Sequence, residues 1–158
     1  MTLYLVRHAK AGDRRDWSQD DTLRPLSRRG QQQARELAMR LRDVRLGRIL
    51  SSPYVRCMET VVPLAALRGM AVEPADALAE GATLDAALAL LRKHAHEDAV
   101  MCTHGDVMPM LLEHLYRKGV VFDAKLTWPK GCTWVLDVDT TGDVNAARYW
   151  PPPPDGAH

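Results

Sequence analysis

The apolar run Leu3-Tyr4-Leu5-Val6 stops at the pair Arg7-His8, and this junction constrains the fold more than any other stretch of the chain. Four apolar residues in a row, without alternation, fit a strand buried on both faces inside a helix-covered sheet. A second short run, Ala99-Val100-Met101-Cys102-Thr103, ends in His104-Gly105. Ligands of open α/β sheets gather beyond the carboxyl ends of the strands, so two strand-end histidines predict one shared pocket.

Strand-like runs at residues 2–7, 48–52, 71–74, 98–103, 132–138 and 144–149 are separated, through the first four, by helical patterns. That alternation predicts an α/β fold, a three-layer α/β/α sandwich with a mostly parallel central sheet. One helix opens at Ser27, a good N-cap, and carries Ala34, Leu37, Ala38, Leu41 and Val44 along one face. A second covers 54–67, where Pro63 predicts a kink or a break. The third covers 83–95, and the fourth, 106–118, starts with Asp106 at the positive end of the helix dipole. At 158 residues the chain suits one domain, placed at 1–150, followed by a Pro-rich tail at 151–158 that is expected to be extended or disordered.

A formal net charge of +1, with no basic arm, argues against nucleic acid as a partner. Three widely spaced cysteines, Cys57, Cys102 and Cys132, give neither a disulfide framework nor a zinc ribbon, and the expected setting is a reducing cytoplasm. No run is long and apolar enough for a membrane span, and Met1 leads directly into the first strand without a signal peptide. Oligomeric state is left open by the sequence.

Arg56 falls in the first turn of the helix that follows Ser51-Ser52, where backbone N–H groups and a guanidinium face the same space. That placement suits a phosphate, and Arg7 supplies a second fork-shaped cation. His8, neutral at ordinary pH, is the candidate nucleophile, and His104 the candidate hydrogen-bond donor to phosphoryl oxygens. Glu80, in Leu78-Ala79-Glu80-Gly81, is the best-placed carboxylate to protonate a leaving group. Arginines supply the positive charge here, so neither metal nor other cofactor is required. Lys10, Arg14, Arg15 and Arg24 are placed either at the pocket mouth or, as is commoner for a charged loop, in solvent, and none is singled out. A rival motif, His94-x-His96-x-Asp98, has the spacing of a binuclear metal site. It sits before a strand instead of after one, and Ala99 stands where a further histidine belongs, so a solvated helix end is the better reading.

Together these segments resemble the histidine phosphatase superfamily, named for its Arg-His-Gly motif, and particularly its small SixA-type phosphohistidine phosphatases. The resemblance spans residues 3–138 and rests on Leu3 to Lys10, Arg24 to Gly30, Ser51 to Thr60 and Thr103-His104-Gly105, in the expected order. It implies a phosphoglycerate mutase-like fold and a phosphate pocket of Arg7, His8, Arg56 and His104, with His8 phosphorylated during turnover. Glu80 falls where relatives often keep a proton donor. Ala9 replaces the motif's glycine, as it commonly does in the SixA branch. Lys130 to Leu136 also resembles the phosphatase-like domain fused to nudix hydrolases, although no nudix half is present. Lacking the insertions that build mutase lids, the chain is expected to hydrolyse its substrate, either a phosphohistidine-bearing protein or a phosphorylated small molecule such as a nucleotide. The alternative of another class is a phosphate-binding regulatory module that hydrolyses nothing.

Overall fold

The computed structural model describes residues 1–154. Seven strands form one sheet: β1 (Thr2–Arg7), β2 (Arg48–Ser51), β3 (Val72–Pro74), β4 (Ala99–Thr103), β5 (Val121–Phe122), β6 (Thr133–Val138) and β7 (Val144–Trp150). Their spatial order is β3-β2-β4-β1-β6-β7-β5. Parallel pairing joins β3 to β2, β2 to β4, β4 to β1 and β7 to β5, whereas β6 runs antiparallel to β1 and β7. The mostly parallel α/β sandwich expected from the sequence is the fold observed. Two-residue β5 escaped the sequence reading because it is too short to show a period.

Among the described residues four α-helices cover the sheet: α1 (Arg28–Arg40), α2 (Val55–Arg68), α3 (Leu84–Lys93) and α4 (Val107–Arg117). Successive strand residues point to opposite faces, and the core divides accordingly. Leu3, Leu5 and Met101 pack with Leu88 and Leu91 of α3 and Leu111 of α4. Tyr4, Val6, Val100 and Cys102 pack with Leu37 of α1 and with Cys57, Val61 and Leu64 of α2. Each such leucine or valine contributes about 1.5–3 kcal/mol through burial, so both layers are held by the same central strands. Among the described residues no helix is long and apolar enough to cross a membrane.

Ser27 caps α1, its hydroxyl accepting the Gly30 N–H at 3.1 Å. The helix ends at Arg40, earlier than its apolar spacing suggests, and Val44 reaches the core from the turn that follows. No break occurs at Pro63, and α2 runs through it as one helix. Residues 151–154 of the tail form neither helix nor strand. Arg40 donates to the Pro151 carbonyl at 2.5 Å and Gln33 to the Pro153 carbonyl at 3.3 Å, which fixes 151–154 against α1. Residues 155–158 lie outside the described residues.

Gly30 has a specific steric role. A Cβ there would lie 1.8 Å from the Lys10 carbonyl oxygen, which accepts from both the N–H and the hydroxyl of Ser27. The segment just after His8 therefore rests on the bare backbone of the first turn of α1. Gly30→Ala should cost about 3 kcal/mol through overpacking, lowering Tm by roughly 6–12 °C in a chain of this size. Gly12→Ala, where a Cβ meets nothing within 4 Å, should change stability by about 0.5 kcal/mol or less in the same thermal denaturation.

Candidate active site

In the parallel pairing of β1 with β4, Arg7 stands opposite Thr103, and the His8 N–H donates to the Thr103 carbonyl at 3.0 Å. The two histidines that follow these strands consequently meet edge to face, with ring centroids 5.4 Å apart. Strand β2 ends alongside, so α2 starts beside them and delivers Arg56 from its first turn. From β3 the chain continues through a short 3-10 turn at Asp76–Leu78, tied to β4 where the Thr103 hydroxyl donates to the Leu78 carbonyl at 2.6 Å, and then reaches Glu80. The result is a cavity of about 700 Å³ at the carboxyl ends of the strands. Arg7, His8, Arg56, Glu80 and His104, the five residues singled out from sequence, all line it.

His8 is 5% exposed, and its Nδ1 lies 2.8 Å from the Ala9 carbonyl. A carbonyl only accepts, so Nδ1 carries a proton and Nε2 keeps its lone pair, with no hydrogen-bond partner among the described residues. Burial pushes the imidazole pKa down to about 3; the Ala9 hydrogen bond opposes this, while His104, Arg56 and Arg7 add to it. The ring is neutral across the whole physiological range. Ala9 itself needs no positive φ, so alanine fits where the family motif has glycine, and its N–H is held by the Thr60 hydroxyl at 3.0 Å.

His104 is oriented from behind. Its Nε2 lies 2.8 Å from the Ser52 hydroxyl, which accepts the Tyr54 N–H at 3.2 Å and can direct its own proton at the ring nitrogen. Assigned from this network, the imidazole proton sits on Nδ1. That nitrogen is buried with no partner, as are the Nε atoms of Arg7 and Arg56. Leaving a buried donor unpaired costs about 1–3 kcal/mol. Three such atoms, without a partner among the described residues, belong to residues that line one cavity, a donor set whose chemistry suits an anion.

The loop between β1 and α1 completes the wall. Asp21 accepts from Arg56 through its carbonyl at 2.9 Å and through its carboxylate at 3.1 Å, and from Arg24 at 3.0 Å. Burial acts to raise the Asp21 pKa, but hydrogen bonds and charge from Arg24 and Arg56 bring it below the usual carboxylate value. Arg24 is 5% exposed and also donates to the Gly12 carbonyl at 2.6 Å, so it braces the loop, and of the two settings considered for it the structure shows the cavity wall and not the solvated one. Arg14, 67% exposed, lies 3.5 Å from Glu80, and the same Glu80 oxygen is 3.7 Å from Arg56. Glu80 is 39% exposed, at the rim.

Ser52, Asp21, Thr60 and Lys130 were not singled out from sequence, and Lys130 also lines the cavity. Ser52, next to a proline at a strand end and four residues before Arg56, offered some signal; the others act through contacts distant in sequence. The rival metal motif is dispersed among structural bonds. His94 Nδ1 pairs with Glu97 at 2.9 Å, and the Asp98 carboxylate accepts the Thr2 N–H at 2.9 Å.

Gly105 sets the position of Arg7. A Cβ there would lie 2.5 Å from an Arg7 terminal nitrogen, whose partner nitrogen donates to the Trp128 carbonyl at 2.6 Å. Since a guanidinium moves more easily than backbone, Gly105→Ala should leave Tm within about 3 °C while lowering kcat/KM by about 100-fold through misplacement of Arg7. His8 gives a second test. With its pKa depressed from 6.5 to about 3 in the fold, its contribution to stability is complete above pH 6.5 and is lost as pH falls toward 3. Accordingly the ring signal assigned to His8, by comparison with His8→Ala in histidine-labelled protein, should show no NMR titration between about pH 5 and 8.

A sequence model described as histidine phosphatase superfamily (branch 1) matches residues 3–86. An 8-oxo-(d)GTP phosphatase of Mycolicibacterium smegmatis is 34% identical over 158 residues, an alignment covering 96% of this chain and 48% of that protein. The chain thus spans about half the length of that relative. Among solved structures, the protein histidine phosphatase SixA complexed with tungstate superposes with a TM-score of 0.72 at 17% identity, covering 98% of this chain and 97% of SixA. A protein assigned as phosphohistidine phosphatase SixA from Agrobacterium tumefaciens superposes at 0.70 with 26% identity, covering 87% of this chain and 91% of that one. With more than half of its length matched by the family model, the chain belongs to branch 1 of the histidine phosphatase superfamily.

Proposed function

We propose that this chain is a phosphatase that works through a phosphohistidine on His8. The observation that carries the reading is a neutral imidazole with a free Nε2 lone pair, surrounded by three buried donors that lack acceptors. Phosphoryl oxygens would accept from Arg7 Nε, Arg56 Nε and His104 Nδ1, placing phosphorus against His8 Nε2. Attack forms the N–P bond as the leaving group departs, and the fixed guanidiniums hold the charge that develops on the equatorial oxygens. Water then cleaves the N–P bond and restores the lone pair. Glu80, at the rim, protonates an alkoxide leaving group. The cations of the chain supply the electrostatic stabilisation, so the scheme calls for no metal.

Phosphohistidine on a protein is the first substrate reading, supported by the likeness to the SixA protein at 26% identity and by the good leaving group of an N–P bond. A nucleotide is the second, favoured by the 34% identical relative named for 8-oxo-(d)GTP.

During turnover of a labelled aryl phosphate in chelator, intact protein should acquire acid-labile, base-stable phosphate, and His8→Ala should lose both label and turnover, the latter by about 10⁴-fold or more. Binding without turnover would favour the regulatory module, and chelator-sensitive turnover a metal enzyme. Glu80→Gln should lower alkyl phosphate hydrolysis by about 100-fold and phosphoramidate hydrolysis by about threefold or less. Equal large losses on the two substrates would remove Glu80 from the proton-donor role.

A further inference from the structure

Five cations line the cavity, and four of them are committed. Arg7 donates to the Trp128 carbonyl and Arg56 to Asp21, Arg24 is taken up by Asp21 and the Gly12 carbonyl, and Arg14 lies between Glu80 and Asp21. Lys130 is the fifth, and it has no hydrogen bond or ion pair among the described residues. Its backbone is nonetheless tightly fixed. Just before it, Trp128 accepts from Arg7, and just after it, the Gly131 N–H donates to the carbonyls of Arg7 and His8 at 3.1 and 3.0 Å. The ammonium is thus carried on a strap bonded to the backbone of the Arg7-His8 pair.

Cations dominate the electrostatics around it, and Asp13, which also lines the cavity, is a carboxylate that feels the Lys130 charge. Burial lowers the Lys130 pKa, and the charges of Arg7, Arg24, Arg14 and Arg56 lower it further. Lys130 thus stands among four guanidiniums that line the same cavity. A single phosphoryl group on the cavity floor uses the three unpaired donors, yet the cavity, at about 700 Å³, is within the range that holds whole organic ligands.

We propose that Lys130 forms a second anion subsite at the cavity wall, which binds the inner phosphate of an organic diphosphate, such as a nucleoside diphosphate, while the terminal phosphate occupies the floor. The assignment rests on the phosphate-pocket reading above and extends it from monoesters to a phosphoanhydride. His8 Nε2 attacks the terminal phosphorus, an N–P bond forms, and the bond from that phosphorus to the bridging oxygen breaks with its electron pair on the departing monophosphate. Water then hydrolyses the N–P bond, releasing orthophosphate and a proton. A phosphate leaving group is stable without protonation, so Glu80 is not needed as an acid in this reaction.

Binding to His8→Ala protein tests the subsite without turnover. Guanosine 5′-diphosphate should bind about tenfold or more tighter than guanosine 5′-monophosphate at physiological salt. Adding Lys130→Ala should reduce that preference to about threefold or less, and Lys130→Arg should keep it. Equal affinity for the two nucleotides, or a preference that survives Lys130→Ala, overturns the subsite. So does a larger effect of Lys130→Ala on a carboxylate-bearing monophosphate than on the diphosphate. Failure of the wild-type protein to form phosphohistidine would overturn the hydrolytic chemistry and leave this binding result standing, so the two failures are distinguishable.

Discussion

Parallel pairing of β1 with β4 is the constraint on which the pocket depends. The register runs from Leu3 opposite Ala99 to Arg7 opposite Thr103, and it sends Leu3, Leu5, Ala99 and Met101 into one core layer. Tyr4, Val6, Val100 and Cys102 enter the other. A slip of one residue would turn every one of these side chains to the opposite face, so burial on both sides fixes the alignment. The same alignment determines how far each strand extends, and hence brings His8 level with His104. Reactive geometry is here a by-product of core packing.

Charge is managed differently. Arg56 is 1% exposed, and a guanidinium buried that deeply needs an anionic partner. Asp21 provides one from a loop with little regular structure beyond two 3-10 turns, and Arg24 in turn fixes Asp21. This chain of partners makes the β1–α1 connection part of the pocket wall. The loop and the Arg56 fork therefore hold each other in place.

What could be read from the amino-acid order follows the range of the interactions involved. Strand-end positions of His8 and His104, the Ser27 cap and the place of Arg56 in a first turn are local properties, and each leaves a pattern within a few residues. For Arg24 the local sequence does not choose between pocket mouth and solvent, because nothing near it shows that it is buried against Gly12 and Asp21. Lys130 likewise gains its setting from the Arg7-His8 backbone, over 120 residues away. Pro63 shows the opposite limit. Its local effect on a helix is well defined, but packing of Val61, Leu64 and Ala65 against the sheet keeps α2 in one piece.

Asp21 has one further consequence. Because it already engages both terminal nitrogens of Arg56, an incoming dianion meets a guanidinium whose charge is in part spoken for. A clamp of bare cations would grip inorganic phosphate as firmly as it grips the reacting group, and tight retention of either resting species slows an enzyme without lowering its barrier. The rival carboxylate loosens that grip. On the proposed mechanism it thereby eases discharge of the product and readies the imidazole for its next cycle.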